Sequence, residues 1–194
     1  MLHPQGLSGP WKTGIALDWH TIVSQKIGEN EFGHPIFETQ RSEIGELLFL
    51  FKYRSDDAAL AKLLDLSVGY LADRVRGKID LILPIPPSNP QHTVTTRIAE
   101  GLAAGLHLAY SGDALVKTKI TNELKSITDL EVRRELLRGA FQVDRPQVEG
   151  KTVLLVDDLY RSGATLGAAA EAVAGQGNPK AVYVLAITRT RVHR

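Results

Sequence analysis

Apolar and polar positions change rhythm several times along the chain, and each change marks an element. Gly14 to Ile27 reads as strand, and a second short strand is expected from His34 to Thr39, so residues 1–40 are expected to form a hairpin-like appendage. From Ile44 the period lengthens: Ile44, Leu47, Leu48 and Phe51 recur at one helical face. Ser55, Asp56 and Asp57 then supply a cap and an acidic first turn for a second helix through Leu60, Leu63, Leu64, Val68 and Leu71, ending near Arg76–Gly77. Ile79 to Ile85 is a short apolar strand stopped by Pro84, Pro86 and Pro87. Val94, Ile98, Leu102 and Leu106 predict a helix, and Ala114 to Lys117 a strand. Residues 118–128 have no clean period and read as loop. Glu131 to Leu137 reads as helix, Ala140 to Val143 as a short strand and Val153 to Val156 as a buried one. Leu166, Ala169, Ala170 and Val173 give the inner face of a helix ended by Gly175, Gly177 and Pro179, and Ala181 to Thr188 is a last buried strand. Strands that alternate with helices predict an α/β fold, a parallel sheet flanked by helices.

The most informative stretch is VLLVDDLYRSGAT, from Val153 to Thr165. An apolar strand delivers Asp157 and Asp158 to its expected end, and Arg161, Ser162, Gly163, Ala164 and Thr165 form a small polar turn that opens an alanine-rich helix. Ligands of open α/β sheets bind at the carboxyl ends of strands. Helix N-termini bind phosphate through their free N–H groups and dipole. The two acids offer acceptors for a sugar diol and the turn offers donors for a phosphate, which suits the two halves of a ribose 5-phosphate. Adjacent acids on a strand point to opposite faces, so a shared ligand requires the chain to bend there. Ser162 also suits an ordinary N-cap, which is compatible with phosphate binding.

VLLVDDLYRSGAT resembles the phosphoribosyl-pyrophosphate (PRPP) motif of type I phosphoribosyltransferases. Within that family the ComF-like branch is similar in three further segments: LILPIPPSN after an early strand, RRELLRGAFQV before the motif strand, and VLAITRTR at the last one. The likeness spans roughly residues 41 to 191. It implies that Asp157 and Asp158 hold the ribose hydroxyls and that Arg161, Ser162, Gly163, Ala164 and Thr165 cradle the 5-phosphate. It places pyrophosphate at Ile85, Ser88 and Asn89, since Pro86 and Pro87 lack N–H donors; a proline-stopped strand is the plainer reading of that segment. It implies a loop whose Lys117 and Lys119, with Lys125, neutralise the departing pyrophosphate, although surface lysines are common in any solvated loop. Arg189 and Arg191 are either phosphate contacts or a basic tail. The implied cofactor is Mg²⁺, carried by PRPP near Asp157 and Asp158 with no direct protein metal site. Residues 1–40 become a hood over the acceptor pocket, and residues 41–194 the phosphoribosyltransferase-like domain.

Two departures from the family pattern matter. Arg161 stands where purine-salvage relatives carry an acid that can act on the base, and a guanidinium cannot serve as a base. The Arg-Gly-Phe-Asn type segment usual after the early loop in the ComF-like branch is replaced by HTVTTRIAE.

Composition narrows the field. The chain has 194 residues, 43% hydrophobic and 23% charged, enough for one domain with a proper core. The net charge of +1 gives no field that would draw it to nucleic acid or a membrane. There are no cysteines, which excludes disulfides, thiolate metal sites and a cysteine nucleophile. Residues 1–20 lack the apolar core of a secretory signal, and no run approaches a membrane span, so a cytoplasmic protein is expected. His20, His34, Asp18 and Glu31 in the first forty residues are too ordinary a set to argue for zinc without a cysteine.

The leading expectation is a Mg²⁺-dependent phosphoribosyltransferase that uses PRPP and an unidentified small-molecule acceptor, with a nitrogen nucleophile expected and a homodimer left open. A non-catalytic sensor of PRPP or a nucleotide is the alternative. A competence-type DNA-uptake role follows from the ComF likeness alone. VLLVDD also resembles the start of a receiver domain, but too few residues follow Asp158 for its remaining strands. No G-x-x-x-x-G-K-[ST] motif is present for an ATP site of the PRPP-synthetase kind.

Overall fold

The computed structural model describes residues 1–191 except 88, 90 and 119–129, and leaves aside the side chains at 130, 131, 133 and 134. Lys119, Lys125 and Ser88 therefore lie outside the described residues, as do the side chains of Arg133 and Arg134.

Six strands form the main sheet in the order β1-β2-β10-β9-β5-β6. These are β1 (Gln5–Leu7), β2 (Thr13–Trp19), β5 (Leu81–Pro84), β6 (Ala109–Tyr110), β9 (Thr152–Tyr160) and β10 (Ala181–Arg189). All neighbouring pairs are parallel except β1 with β2. The protein is thus α/β, with a largely parallel sheet covered by helices on both faces. β9 and β10 are buried on both sides, which is why they read as continuous apolar runs and not as alternating ones.

One face of the sheet is covered by α1 (Glu43–Arg54), α2 (Asp57–Val75) and α3 (Val94–Leu106). Their Ile44, Leu48, Leu63, Ile98 and Leu102 pack on Leu17, Ile82, Leu154, Val156, Leu185 and Ile187. The other face receives α6 (Ala164–Gly177), with the short helices α4 (Leu130–Leu137) and α5 (Arg145–Val148) beside it. There Leu166, Ala169, Ala170 and Val173 meet Leu155, Val184 and Ala186. A second two-stranded ribbon, β7 (Leu115–Lys117) against β8 (Phe141–Val143), closes that side.

Local chemistry accounts for the element ends. Ser42 caps α1 by accepting the Gly45 N–H, and Asp56 caps α2 by accepting the Ala59 N–H at 3.0 Å. α6 stops at Asn178, whose φ of 49° is left-handed, so the cap falls one residue past Gly177.

Residues 1–40 are not one appendage. β1 is an edge strand of the main sheet and β2 lies inside it, paired with β1 on one side and with β10 on the other from Thr13↔Tyr183 to Trp19↔Arg189. Only β3 (Thr21–Glu29) and β4 (Pro35–Arg41) form the separate hairpin. That hairpin carries exposed Val23, Ile27, Phe32 and Phe37, and outside itself it packs against α1. The strand expected over 14–27 is broken at His20, whose N–H bonds the Arg189 carbonyl at 2.8 Å as the last contact of this run with β10.

Candidate functional site

The motif strand does not stop at Val156. β9 continues through both acids to Tyr160, with Asp157 opposite Ala186, Leu159 opposite Thr188 and Tyr160 opposite Arg189 in β10. The two carboxylates meet different surroundings at this strand end. Asp158 lies on the α1 face. Its Oδ2 accepts from Lys52 Nζ at 2.5 Å, and its carboxylate is only 14% exposed. Asp157 Oδ1 folds back to accept the Asp158 N–H at 2.9 Å and faces the small pocket on the α6 side.

Electrostatics separates the two acids further. Burial and the like charge of Asp158 push the Asp157 carboxyl well above its ordinary value, so Asp157 holds a proton more readily than a surface aspartate. Burial alone would depress the Lys52 ammonium, but the charge and hydrogen bond of Asp158 outweigh it and the pKa ends raised. Lys117, half-buried at the end of β7, is shifted down by burial, opposed by the charge of Asp157. Its ammonium lies 5.9 Å from the centre of the Phe141 ring. Two lysines thus flank the acid pair, Lys52 bound to Asp158 and Lys117 within the field of Asp157.

The turn after the acids closes around a pocket. Asp157, Leu159, Tyr160 and residues Arg161 to Leu166 line a cavity of about 90 Å³ at the carboxyl end of β9. Arg161, Ser162, Gly163, Ala164 and Thr165 are therefore brought together. Gly163 has φ 78° and is the N-cap of α6, where it has no side chain to bond the first turn. A Cβ at 163 would lie 2.4 Å from the Tyr160 hydroxyl, so only glycine lets the loop sit this close to its own strand. Ala164 is buried and Arg161 exposed at the rim. A wider depression, about 560 Å³ and open to solvent, lies beside Trp11, Lys12, Lys180 and Ala181. It adjoins the amino ends of β2 and β10, the end of a parallel sheet that ligands do not ordinarily use.

The early loop fits its expected role less well. The Ile85 N–H is given to the Val156 carbonyl at 2.8 Å and the Ile85 side chain is 4% exposed, so Ile85 has no backbone donor to offer an anion. It continues the ladder of β5 on β9. Asn89 is exposed, with Oδ1 accepting the Gln91 N–H at 3.0 Å and its carbonyl accepting the His92 N–H at 2.9 Å, bonds that shape the turn.

Sequence reasoning passed over Lys52 and Thr188. Thr188 is fully buried, and its Oγ1 contacts the Asp158 carbonyl at 3.4 Å and His20 Nδ1 at 3.2 Å. Burial, with the nearby charges of Arg41 and Lys52, depresses the His20 pKa and favours the neutral ring. Arg189 lies over the rings of Trp19 at 4.9 Å and Tyr160 at 5.6 Å, and donates to the Gly6 carbonyl at 3.3 Å. It ties three strand ends together at the rim. Among the described residues no three metal-ligating side chains cluster, and no helix is long and apolar enough to cross a membrane.

The described residues thus bring a strand end, an acid pair and a glycine-containing loop together at the carboxyl edge of a parallel sheet flanked by helices. Over 67 residues the chain is 40% identical to the bifunctional protein PyrR of Leifsonia xyli subsp. xyli (strain CTCB07), a stretch that covers 32% of this chain and 36% of that protein. The similarity thus spans about a third of the curated relative. Among solved structures, adenine phosphoribosyltransferase from Saccharomyces cerevisiae, complexed with an imino-altritol bisphosphate and adenine, has a TM-score of 0.47 at 17% identity and covers 86% of this chain and 83% of its own. A second adenine phosphoribosyltransferase structure gives 0.49 at 17% identity, with 86% and 84% covered. At these values the likeness carries no argument about activity. No family profile matches the chain.

Proposed function

We propose that the chain is a type I phosphoribosyltransferase-like protein that binds PRPP and transfers its ribose 5-phosphate to a small acceptor. The observation that carries this reading is the loop Arg161–Thr165 closed around a small cavity that Asp157 also lines. The loop and the N-terminus of α6 receive the 5-phosphate. The acids accept hydrogen bonds from the ribose hydroxyls, each worth about 1.5–3 kcal/mol when charge-assisted. The acceptor attacks C1 of the ribose, the C1–O bond to pyrophosphate breaks, and pyrophosphate leaves with the electron pair while the acceptor loses a proton. Lys117 lies on the Asp157 side, where a cation offsets charge gathering on the leaving group. Lys119 belongs to the same proposal. The altered early loop leaves Ser88 and Asn89 as its pyrophosphate contacts, without Ile85.

Mg²⁺ suits this reading only through the ligand. Asp157 and Asp158 are the hard oxygen donors at hand, Asp158 is already bound to Lys52, and octahedral coordination needs more oxygens than these supply. PRPP oxygens would hold the ion, which neutralises the diphosphate when bound. The ComF-like branch rests on the quoted sequence segments. A cytoplasmic location belongs to the same proposal.

A second reading, a sensor that binds PRPP without turning it over, is favoured by Arg161 in place of a base-site acid. Pyrophosphate release, followed with Mg–PRPP and a panel of nucleobases and small amines, separates the two. Release with one acceptor supports the transferase. Binding of PRPP without release under any acceptor supports the sensor.

A further inference from the structure

We infer that Lys52 is the positioning residue of the site: it fixes the Asp158 carboxylate for the sugar diol, and α1 exists in its present place to deliver it. The inference rests on the PRPP reading above, and it concerns a residue that the motif itself does not contain.

The geometry is specific. Asp158 is held at two points, its carbonyl by Thr188 and its carboxylate by Lys52. Lys52 sits in the last turn of α1, where a cation also complements the helix dipole. The position of α1 on the sheet is set by close packing at its other end. Ser42 Oγ donates to the Trp19 carbonyl at 2.5 Å, and a Cβ on Gly45 would lie 2.4 Å from the His20 carbonyl oxygen. Gly45 therefore lets α1 dock tightly beside the end of β2, and that placement brings Lys52 to Asp158 across the sheet face. The surroundings favour this pairing: His20 is kept toward its neutral form, and the charge and hydrogen bond of Asp158 hold the Lys52 ammonium protonated against burial.

The chemistry requires such a partner. Two adjacent carboxylates at one strand repel each other, and burial first and the like charge of Asp158 second raise the Asp157 carboxyl. An ionised Asp158 beside it needs a counter-charge. A carboxylate has about four acceptor sites, so one ammonium contact leaves room for a diol. Lys52 thus does not compete with the ribose; it locks the orientation of the oxygen that receives it.

The test is a double-mutant cycle read by calorimetry with Mg–PRPP. In Lys52→Met, affinity should fall by at least about tenfold, the scale of one charge-assisted hydrogen bond. Lys52→Arg, which keeps the charge, should recover most of that loss. In an Asp158→Asn background, Lys52→Met should have little further effect, because the group through which it acts is gone. Should Lys52→Met fold poorly, Lys52→Gln serves in the same cycle. Full additivity of the two substitutions would overturn the inference, since Lys52 would then act by packing α1 and not through Asp158. Unchanged affinity in Lys52→Met while wild type binds would overturn it too. If wild type itself binds no Mg–PRPP, the underlying PRPP reading fails, and the positioning role falls with it.

Discussion

Gly163 and Tyr160 pack so closely that a methyl group at 163 would meet the Tyr160 hydroxyl at 2.4 Å and its ring carbon at 2.8 Å. The same glycine has φ 78°, where a side chain costs about 1–3 kcal/mol. Gly163→Ala should therefore deform the loop and lower affinity for ribose 5-phosphate, by roughly tenfold or more at that cost. Tyr160→Phe in the same chain should recover part of it, because the hydroxyl goes but the ring stays. Calorimetric titration of both variants with ribose 5-phosphate checks this; equal affinity in wild type and Gly163→Ala would show that the loop does not hold the phosphate.

Asp157 gives a pH signature. Its pKa is raised in the folded state, so folding favours the protonated carboxyl. The stability this confers is fully present below the ordinary carboxylate pKa and is lost as pH rises through the raised value. Asn imitates the protonated form. Asp157→Asn should therefore melt above wild type at pH 7–8, and the two should converge below about pH 4. Thermal unfolding across that range measures the difference. A variant less stable than wild type at neutral pH would contradict the direction of the shift.

Much of this was legible in the sequence, for reasons that can be named. VLLV followed by two acids and RSGAT reads locally as strand, loop and helix, and each part is encoded within a few residues. The caps Ser42 and Asp56 and the inner face of α6 are equally local. What stayed hidden depends on distant partners. β2 pairs with β10, so its place in the main sheet is decided by residues near the other end of the chain. β9 runs on past Val156 because β10 continues beside it, and a dipeptide of acids gives no local hint of that. Ile85 looked like a donor until the ladder on Val156 claimed its N–H. Lys52 looks like any cation in a helix's last turn; its pairing with Asp158 spans 106 positions.

The hairpin offers a separable test. Its chain enters after Trp19 and returns at Ser42, two residues joined by a hydrogen bond of 2.5 Å, so the gap is already closed at its base. Replacing residues 21–40 by a short glycine-containing turn should leave the fold and Mg–PRPP affinity intact. It also removes exposed Ile27, Phe32 and Phe37 and should improve solubility. If the hairpin is the hood over the acceptor, the KM for the acceptor rises while PRPP binding persists. Loss of PRPP binding would place the hairpin in the PRPP site itself.

Lys117 is a half-buried cation near the acid pair, and the charge of Asp157 acts on it against the effect of burial. A cation that offsets leaving-group charge matters most in the transition state. Lys117→Met should lower kcat by about 10²-fold, within the range for loss of one electrostatic contact, with a smaller change in the KM for PRPP. Steady-state pyrophosphate release reads both constants. A rise in KM alone would assign Lys117 to ground-state binding.

The most direct measurement is a calorimetric titration of Mg–PRPP into wild type and into Asp157→Asn/Asp158→Asn. Binding to wild type that is lost in the paired variant is the predicted result, and it would fix the ligand and the residues that receive its ribose. Absence of binding to either protein, both folded, would contradict the account and leave the loop at Arg161–Thr165 to some other phosphorylated ligand.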